Sequence, residues 1–314
     1  MNSQTSRAVM LFTLVAILPI ISQAQTLKFA WPDGASAKVQ IRSQGRRTAK
    51  NEKVHTWDMS SDFTMRVQRT ANRIVISRDG FSGWKGTFPP SFGGGAERFV
   101  DMIPTTIVST EGAFLGIDGA ETARQLMTRS VEQSGGLDPI MRKGFETIST
   151  DVALQAIASD HWSLLVGLWQ QVDLDPNAYF EIRNVVPVPQ LGGGEIEIAG
   201  TCEFVKEAPC TPGQGDRQCA HFKAQTGSDP KQVSKIIQSF LEKAGADAPR
   251  VSVFEQRLKV EIVVDKQTML PQQLTVTRHH GFEFNVQGRD SGGSEEFTKS
   301  YTFVWILPSD DRKG

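Results

Sequence analysis

Hydrophobic and polar residues alternate with a period of two along much of the chain, the pattern of strands with one buried and one wet face. Ala37, Val39 and Ile41 alternate with Lys38, Gln40 and Arg42, and Phe63, Met65 and Val67 alternate with Thr64, Arg66 and Gln68. A turn at Thr70-Ala71-Asn72 leads into Ile74 and Ile76. Thr105–Ser109 and Ala113–Ile117 flank Glu111-Gly112 and predict a short hairpin. Alternation resumes with Ile196, Ile198, Cys202 and Phe204 on one face, followed by a strand near Gln218–Gln225. It continues in Leu258, Val260, Ile262 and Val264, in Phe282, Phe284 and Val286, and in Phe297, Tyr301, Phe303 and Trp305. The turns expected between these last strands are Asp265–Thr268 and Gln287–Ser294.

The period changes towards 3.6 in the middle of the chain. Helical segments are expected near Gly119–Gln133, Asp138–Ser149 and Asp151–Gln171, and again from Asp229-Pro230 to Lys243. The stretch Trp162–Trp169 is apolar nearly all round, which requires cover on several sides. The fold class that follows is α+β: a large curved antiparallel β-sheet or half-barrel with helices covering its apolar face. Residues 25–314 are read as a single β-rich domain. A faint echo between Ile107–Ile117 and Ile262–Val276 fits two related halves, about 25–190 and 191–314. Asp79–Gly95, rich in Gly, Pro, Ser and Phe, is expected to be irregular, with Phe81, Trp84, Phe88 and Phe92 partly sheltered.

Residues 1–24 have another character. Arg7 precedes the apolar run Ala8–Ile21, and Ser22-Gln23-Ala24 supplies small residues for cleavage, the layout of a secretory signal peptide. The run is shorter than the roughly 20 residues a membrane span needs, so no transmembrane anchor is expected after cleavage and the mature protein is expected to be periplasmic or secreted. Its removal leaves 33 basic and 35 acidic side chains and a charge of −2. That balance argues against a nucleic-acid partner. Arg42, Arg46, Arg47, Lys50 and Lys53 form the best local basic group, read as a strand edge charged against edge pairing. With 18 Phe and 6 Trp but 2 Tyr, the aromatic residues serve apolar burial more than polar contact.

This layout of signal peptide, long alternating strands, apolar helical insert and closing strand series resembles the periplasmic lipoprotein-carrier type of half-barrel, and uncharacterised secreted β-rich families of the same texture. The resemblance implies a bent sheet wrapped around helices with an apolar cavity for acyl chains. It rests on pattern over most of the mature chain and transfers no site residue.

Cys202, Cys210 and Cys219 lie close together in a chain read as exported, where disulfides form. The favoured pair is Cys210–Cys219, flanking a Pro-Gly-Gln-Gly turn, with Cys202 a buried thiol; Cys202–Cys219 is the alternative. Zinc binding by the three sulfurs and His221 lacks the short Cys pair of zinc motifs, so no metal or cofactor is expected. Gly80–Trp84 misses the second Gly of a nucleophile elbow, and Asp173–Asn177 misses the Gly and Glu of a calcium loop. Asp160-His161 and His279-His280 are the places where imidazole chemistry could arise. Three function classes remain. The preferred one is a non-catalytic envelope factor holding an apolar or lipid-like ligand against Trp162, Trp169, Phe297, Tyr301, Phe303 and Trp305. The alternatives are a secreted hydrolase of unrecognised type using His161 or His279, and an envelope protein-interaction module docking through a strand edge or the Phe81–Phe92 loop.

Overall fold

The computed structural model describes residues 26–50, 53–87, 103–133, 145–146, 148–170, 172–187, 194–210, 217–244, 250–286 and 289–308. The leader segment, Phe88, Phe92 and most of the helix expected near Asp138–Ser149 lie outside them.

Among the described residues, twelve strands form one antiparallel sheet. The first half of the chain supplies β1 (Ser36–Ala49), β2 (His55–Arg69), β3 (Ile74–Asp79), β4 (Lys85–Thr87), β5 (Thr105–Val108) and β6 (Phe114–Asp118). The second supplies β7 (Tyr179–Pro187), β8 (Glu195–Pro209), β9 (Gln218–Ser228), β10 (Arg250–Asp265), β11 (Pro271–Val286) and β12 (Arg289–Ile306). The spatial order β6-β5-β3-β2-β1-β12-β11-β10-β9-β8-β7, with the short β4 also on β2, places the first and last strands side by side at the centre. The chain thus meanders from the centre to one edge, crosses through helices, and meanders back from the other edge. Most pairings join sequence neighbours, as short connections favour; the exceptions are the β1–β12 seam, β3 with β5, and the short β4 on β2. The sheet is open, and its α+β half-barrel character agrees with the hydrophobic alternation.

The described part of the helical insert includes α1 (Ala120–Gln133) and α2 (Asp151–Trp162). Thr150 caps α2, its hydroxyl accepting from Ala153 N–H. The helix runs on through one wide turn, Ser163–Gly167, in which Leu168 N–H reaches back five residues to the Ser163 carbonyl (3.0 Å). Leu164, Leu165 and Val166 from this turn, and Trp169 just beyond it, share one buried cluster with Val39, Ile41, Phe63, Tyr301, Phe303, Leu274, Ile262 and Phe222. The all-round apolar character of the insert is thereby accounted for. The segment Leu27–Trp31 closes one end of this core, with Trp31 5.3 Å from Trp162 and 5.5 Å from Trp305, ring centre to ring centre. Four buried indole N–H groups find carbonyls: Trp31 at Met269, Trp162 at Gly112, Trp169 at Leu164, Trp305 at Pro271.

The third helix, α3 (Pro230–Ala244), starts at Asp229-Pro230 as its sequence predicts, Asp229 accepting from Lys231 N–H. It lies where β9 stops and its neighbours β8 and β10 continue. Its side chains replace the missing strand pairs. Gln232 bonds both Glu197 N–H and the Glu195 carbonyl, Ser234 accepts from Phe254 N–H, and Gln238 accepts from Val251 N–H.

Three expectations need correction. Gln287–Ser294 is not one long turn, because β12 begins at Arg289. Gly293 belongs in that strand because a Cβ there would lie 2.1 Å from the Thr48 carbonyl oxygen; its glycine permits close backbone approach, not a turn. The Arg42–Lys53 group is not a strand edge, since β1 is paired on both sides. Its charges divide between the two faces, with Arg42 bonded to Asp58 (2.6 Å) on the uncovered one. Finally, β7 was not foreseen. As an edge strand it keeps Tyr179 66% and Val185 53% exposed, so it lacks the alternation that marks a half-buried strand.

A candidate ligand-binding face

Register resolves the helix-covered face into rows of side chains running across the strands. The row Ser61–Ile41–Tyr301–Leu274–Ile262–Phe222–Phe204 is buried throughout and almost wholly apolar. One row on, Met59–Ser43–Lys299–Val276–Val260 admits a buried cation, Lys299, 3% exposed. The next, Trp57–Gly45–Phe297–Arg278–Leu258, carries a second. The row after that, His55–Arg47–Glu295–His280–Gln256, is entirely polar. Beyond this charged belt the face turns aromatic again at Phe282 and Phe254, then Phe284. Phe297, His280 and Phe254 form a ladder with ring centres 5.8 and 5.9 Å apart, and Phe282 lies 5.5 Å from Phe284. These distal rings are half-buried, unlike those under α2. Gly45 belongs to the belt's architecture: a Cβ there would meet the Trp57 indole at 2.1 Å, so the glycine lets the indole lie across the strand.

The six candidate aromatics divide. Trp162, Trp169, Tyr301, Phe303 and Trp305 belong to the central buried cluster, where Tyr301, Phe303 and Trp305 stack along β12 at 6.4 Å intervals. Phe297 belongs to a smaller cluster with Trp57, Met59 and Trp84 at the margin of the belt. Sequence reasoning placed all six on the covered face but passed over Phe254, Phe282 and Phe284 as a site. Their position beyond the helix follows from strand length, which alternation alone leaves open.

Between α2 and the first two belt rows lies a crevice of about 20 Å³, lined by Asp160, His161, Leu164, Leu274, Val276, Arg278, Phe297, Lys299 and Tyr301. It has room for about one water-sized atom. His161 is buried, and its Nδ1 lies 3.1 Å from the Arg78 guanidinium. An arginine only donates, so Nδ1 accepts and the ring proton is assigned to Nε2. Burial, reinforced by Arg78, Lys299 and Arg278, holds the imidazole well below its ordinary pKa and therefore neutral. Its Nε2 has no hydrogen-bond partner in the protein. Asp160 does not pair with His161; it turns outward, 57% exposed at its side chain, 3.5 Å from Arg278. His279 projects to the opposite face, 4.0 Å from Glu296, too long for a hydrogen bond. Neither histidine is therefore joined to a carboxylate as a catalytic base would be.

Two larger concavities, about 630 and 570 Å³, lie on the face without helices. Both are lined chiefly by polar groups such as Gln44, Asp58, Thr298 and Ser300, and the Arg42–Asp58–Gln44 network runs between them. That lining suits water better than an acyl chain. Cys210 and Cys219 form the disulfide, and Cys202 is a buried thiol whose pKa burial raises to about 11. No group of His, Cys, Asp and Glu among the described residues is arranged to hold a metal. No described helix is long and apolar enough to cross a membrane.

No protein-family model and no curated protein sequence matches the chain. A similar solved structure, described as lipid-protein interactions in lipovitellin, aligns at a TM-score of 0.40 and 10% identity. The match covers 88% of this chain and 26% of that one, so the chain spans about a quarter of its length. A likeness of that size says nothing of what this chain binds.

Proposed function

We propose that this is an exported, non-catalytic protein that binds an apolar, lipid-like molecule on the stretch of sheet beyond α2. The observation that carries the reading is the change along one face, from rings sealed beneath a helix to a charged belt and then to half-buried Phe254, Phe282 and Phe284. Apolar surface left partly wet at the end of long strands gains free energy when covered, about 25 cal/mol per Å², and an amphipathic molecule can meet belt and rings together. The leader-like residues 1–24 and the Cys210–Cys219 disulfide support export. Organic-solvent extraction of the purified protein followed by mass spectrometry tests the reading. Co-purifying lipid, or saturable binding of a fluorescent fatty acid, is expected. An empty extract without such binding overturns it.

A further inference from the structure

We infer that the crevice beneath α2 is a carboxylate site, and that the apolar ligand is a long-chain fatty acid, one of whose carboxylate oxygens enters it. This rests on the apolar-ligand reading and specifies its chemistry. The first support is a donor without an acceptor. His161 Nε2–H is sealed from water and bonded to nothing in the protein, a state that costs free energy unless something fills it. The second is charge: Lys299 and Arg278 line the same crevice, and Arg78 holds the far side of the imidazole. Asp160, the acid on the lining, faces outward beside Arg278.

Size limits what enters. About 20 Å³ admits a single anionic oxygen, beside His161 and Lys299 of the lining, and not a whole head group. The walls select what the anion is attached to, since Leu164, Leu274, Val276 and Phe297 offer apolar contact directly behind the charges. From Arg278 the face runs six residues along β11 to Phe284, about 20 Å at the rise of a strand. That span matches an extended long acyl chain lying across Phe297, Phe282 and Phe284.

The test uses purified protein with 15N-labelled histidine, observed at the imidazole resonances while sodium palmitate, 1-hexadecanol, sodium acetate or inorganic phosphate is added. Palmitate is expected to shift the His161 Nε2–H signal and to bind at least tenfold more tightly than the alcohol. Lys299→Met should abolish that preference while leaving hexadecanol binding in place; Arg278→Leu, at a less buried position, serves the same purpose should the first variant fail to fold. Equal affinity of the wild type for acid and alcohol overturns the carboxylate site and leaves the apolar-ligand reading standing. A shift with acetate but no binding of either long chain supports the anion site and overturns the apolar-ligand reading. A shift with phosphate as large as with palmitate overturns the choice of a carboxylate carried on an apolar chain, and no response to any of the four overturns both.

Discussion

The two ends of the helix-covered face are built from the same residue types and behave differently. Under α2, Phe303, Tyr301 and Trp305 are stacked and buried by Trp31, Trp162 and the Leu164–Val166 turn. Beyond the belt, Phe254, Phe282 and Phe284 also form ring pairs, yet each keeps part of its surface in water. The difference teaches that aromatic content on a sheet face does not mark a binding site; what covers it decides. Where a helix and an N-terminal segment cover the rings, they are core. Where strands outrun α2, Phe282 and Phe284 stay half-buried and Phe254 packs in part against Val233, Ile236 and Ile237 of α3; under the proposed function these rings are the surface a ligand covers.

Truncation should separate the two regions most sharply. Phe303→Ala is expected to cost about 3–5 kcal/mol, since it opens a cavity in a closed core. Phe282→Ala should cost about 1 kcal/mol or less, because its ring is half solvated. Urea unfolding of both variants measures this, and equal losses would erase the distinction.

The disulfide sharpens the contrast from another side. Cys210 and Cys219 staple the ends of β8 and β9 beside Asp265, at the covered end of the sheet. Replacing both by Ser should lower stability by about 2–3 kcal/mol, the entropy of so short a loop. Binding at the distal rings should not change at temperatures where the variant stays folded, which a fluorescent fatty-acid titration checks.

His161 supplies a pH signature. Its folded-state pKa lies well below the unfolded value near 6.5. As pH falls below about 6.5 the unfolded chain takes up a proton that the folded one refuses, so stability declines, by at most about 1.4 kcal/mol per pH unit. His161→Gln should lack this component. Urea midpoints of the two proteins at pH 7 and pH 5 isolate it, and parallel declines would contradict it.

Much of the fold was legible in the sequence, for a physical reason. Alternation in Val39–Ile41, Phe63–Val67 and Phe297–Trp305 reports burial of one face, and burial is what these strands achieve. The all-round apolar Trp162–Trp169 likewise announced a covered helix. What stayed hidden depends on neighbours distant in sequence. Edge strand β7 shows no alternation because, of its described side chains, Ile182 alone is buried in the core. Gly293 reads as part of a turn until Thr48 is seen against it, and nothing in the sequence marks Gly45 as the place where the Trp57 indole lies. The crevice was half legible: His161 stood out beside Asp160, but its true partner, Arg78, comes from β3 across the sheet. The disulfide was legible from its flanking turn, and the buried face of β8 explains why Cys202 was left out.

The smallest expected effect concerns that thiol. Burial raises the Cys202 pKa to about 11, which keeps it protonated and unreactive. Iodoacetamide should leave the native protein unmodified at neutral pH and label one cysteine only in denaturant. Rapid native labelling would show that the covered half opens readily.

The proposed function assigns the acyl chain to the strand extensions beyond the belt, with only the head group reaching the crevice, and stability to the closed core around Phe303. Titrating a fluorescent fatty acid into the Phe282→Ser/Phe284→Ser double variant and into Phe303→Leu, alongside urea unfolding of each, tests it directly. The double variant should lose binding with its unfolding midpoint nearly unchanged, and Phe303→Leu should lose stability while binding as the wild type does. Loss of binding in Phe303→Leu with full binding in the double variant would contradict the claim.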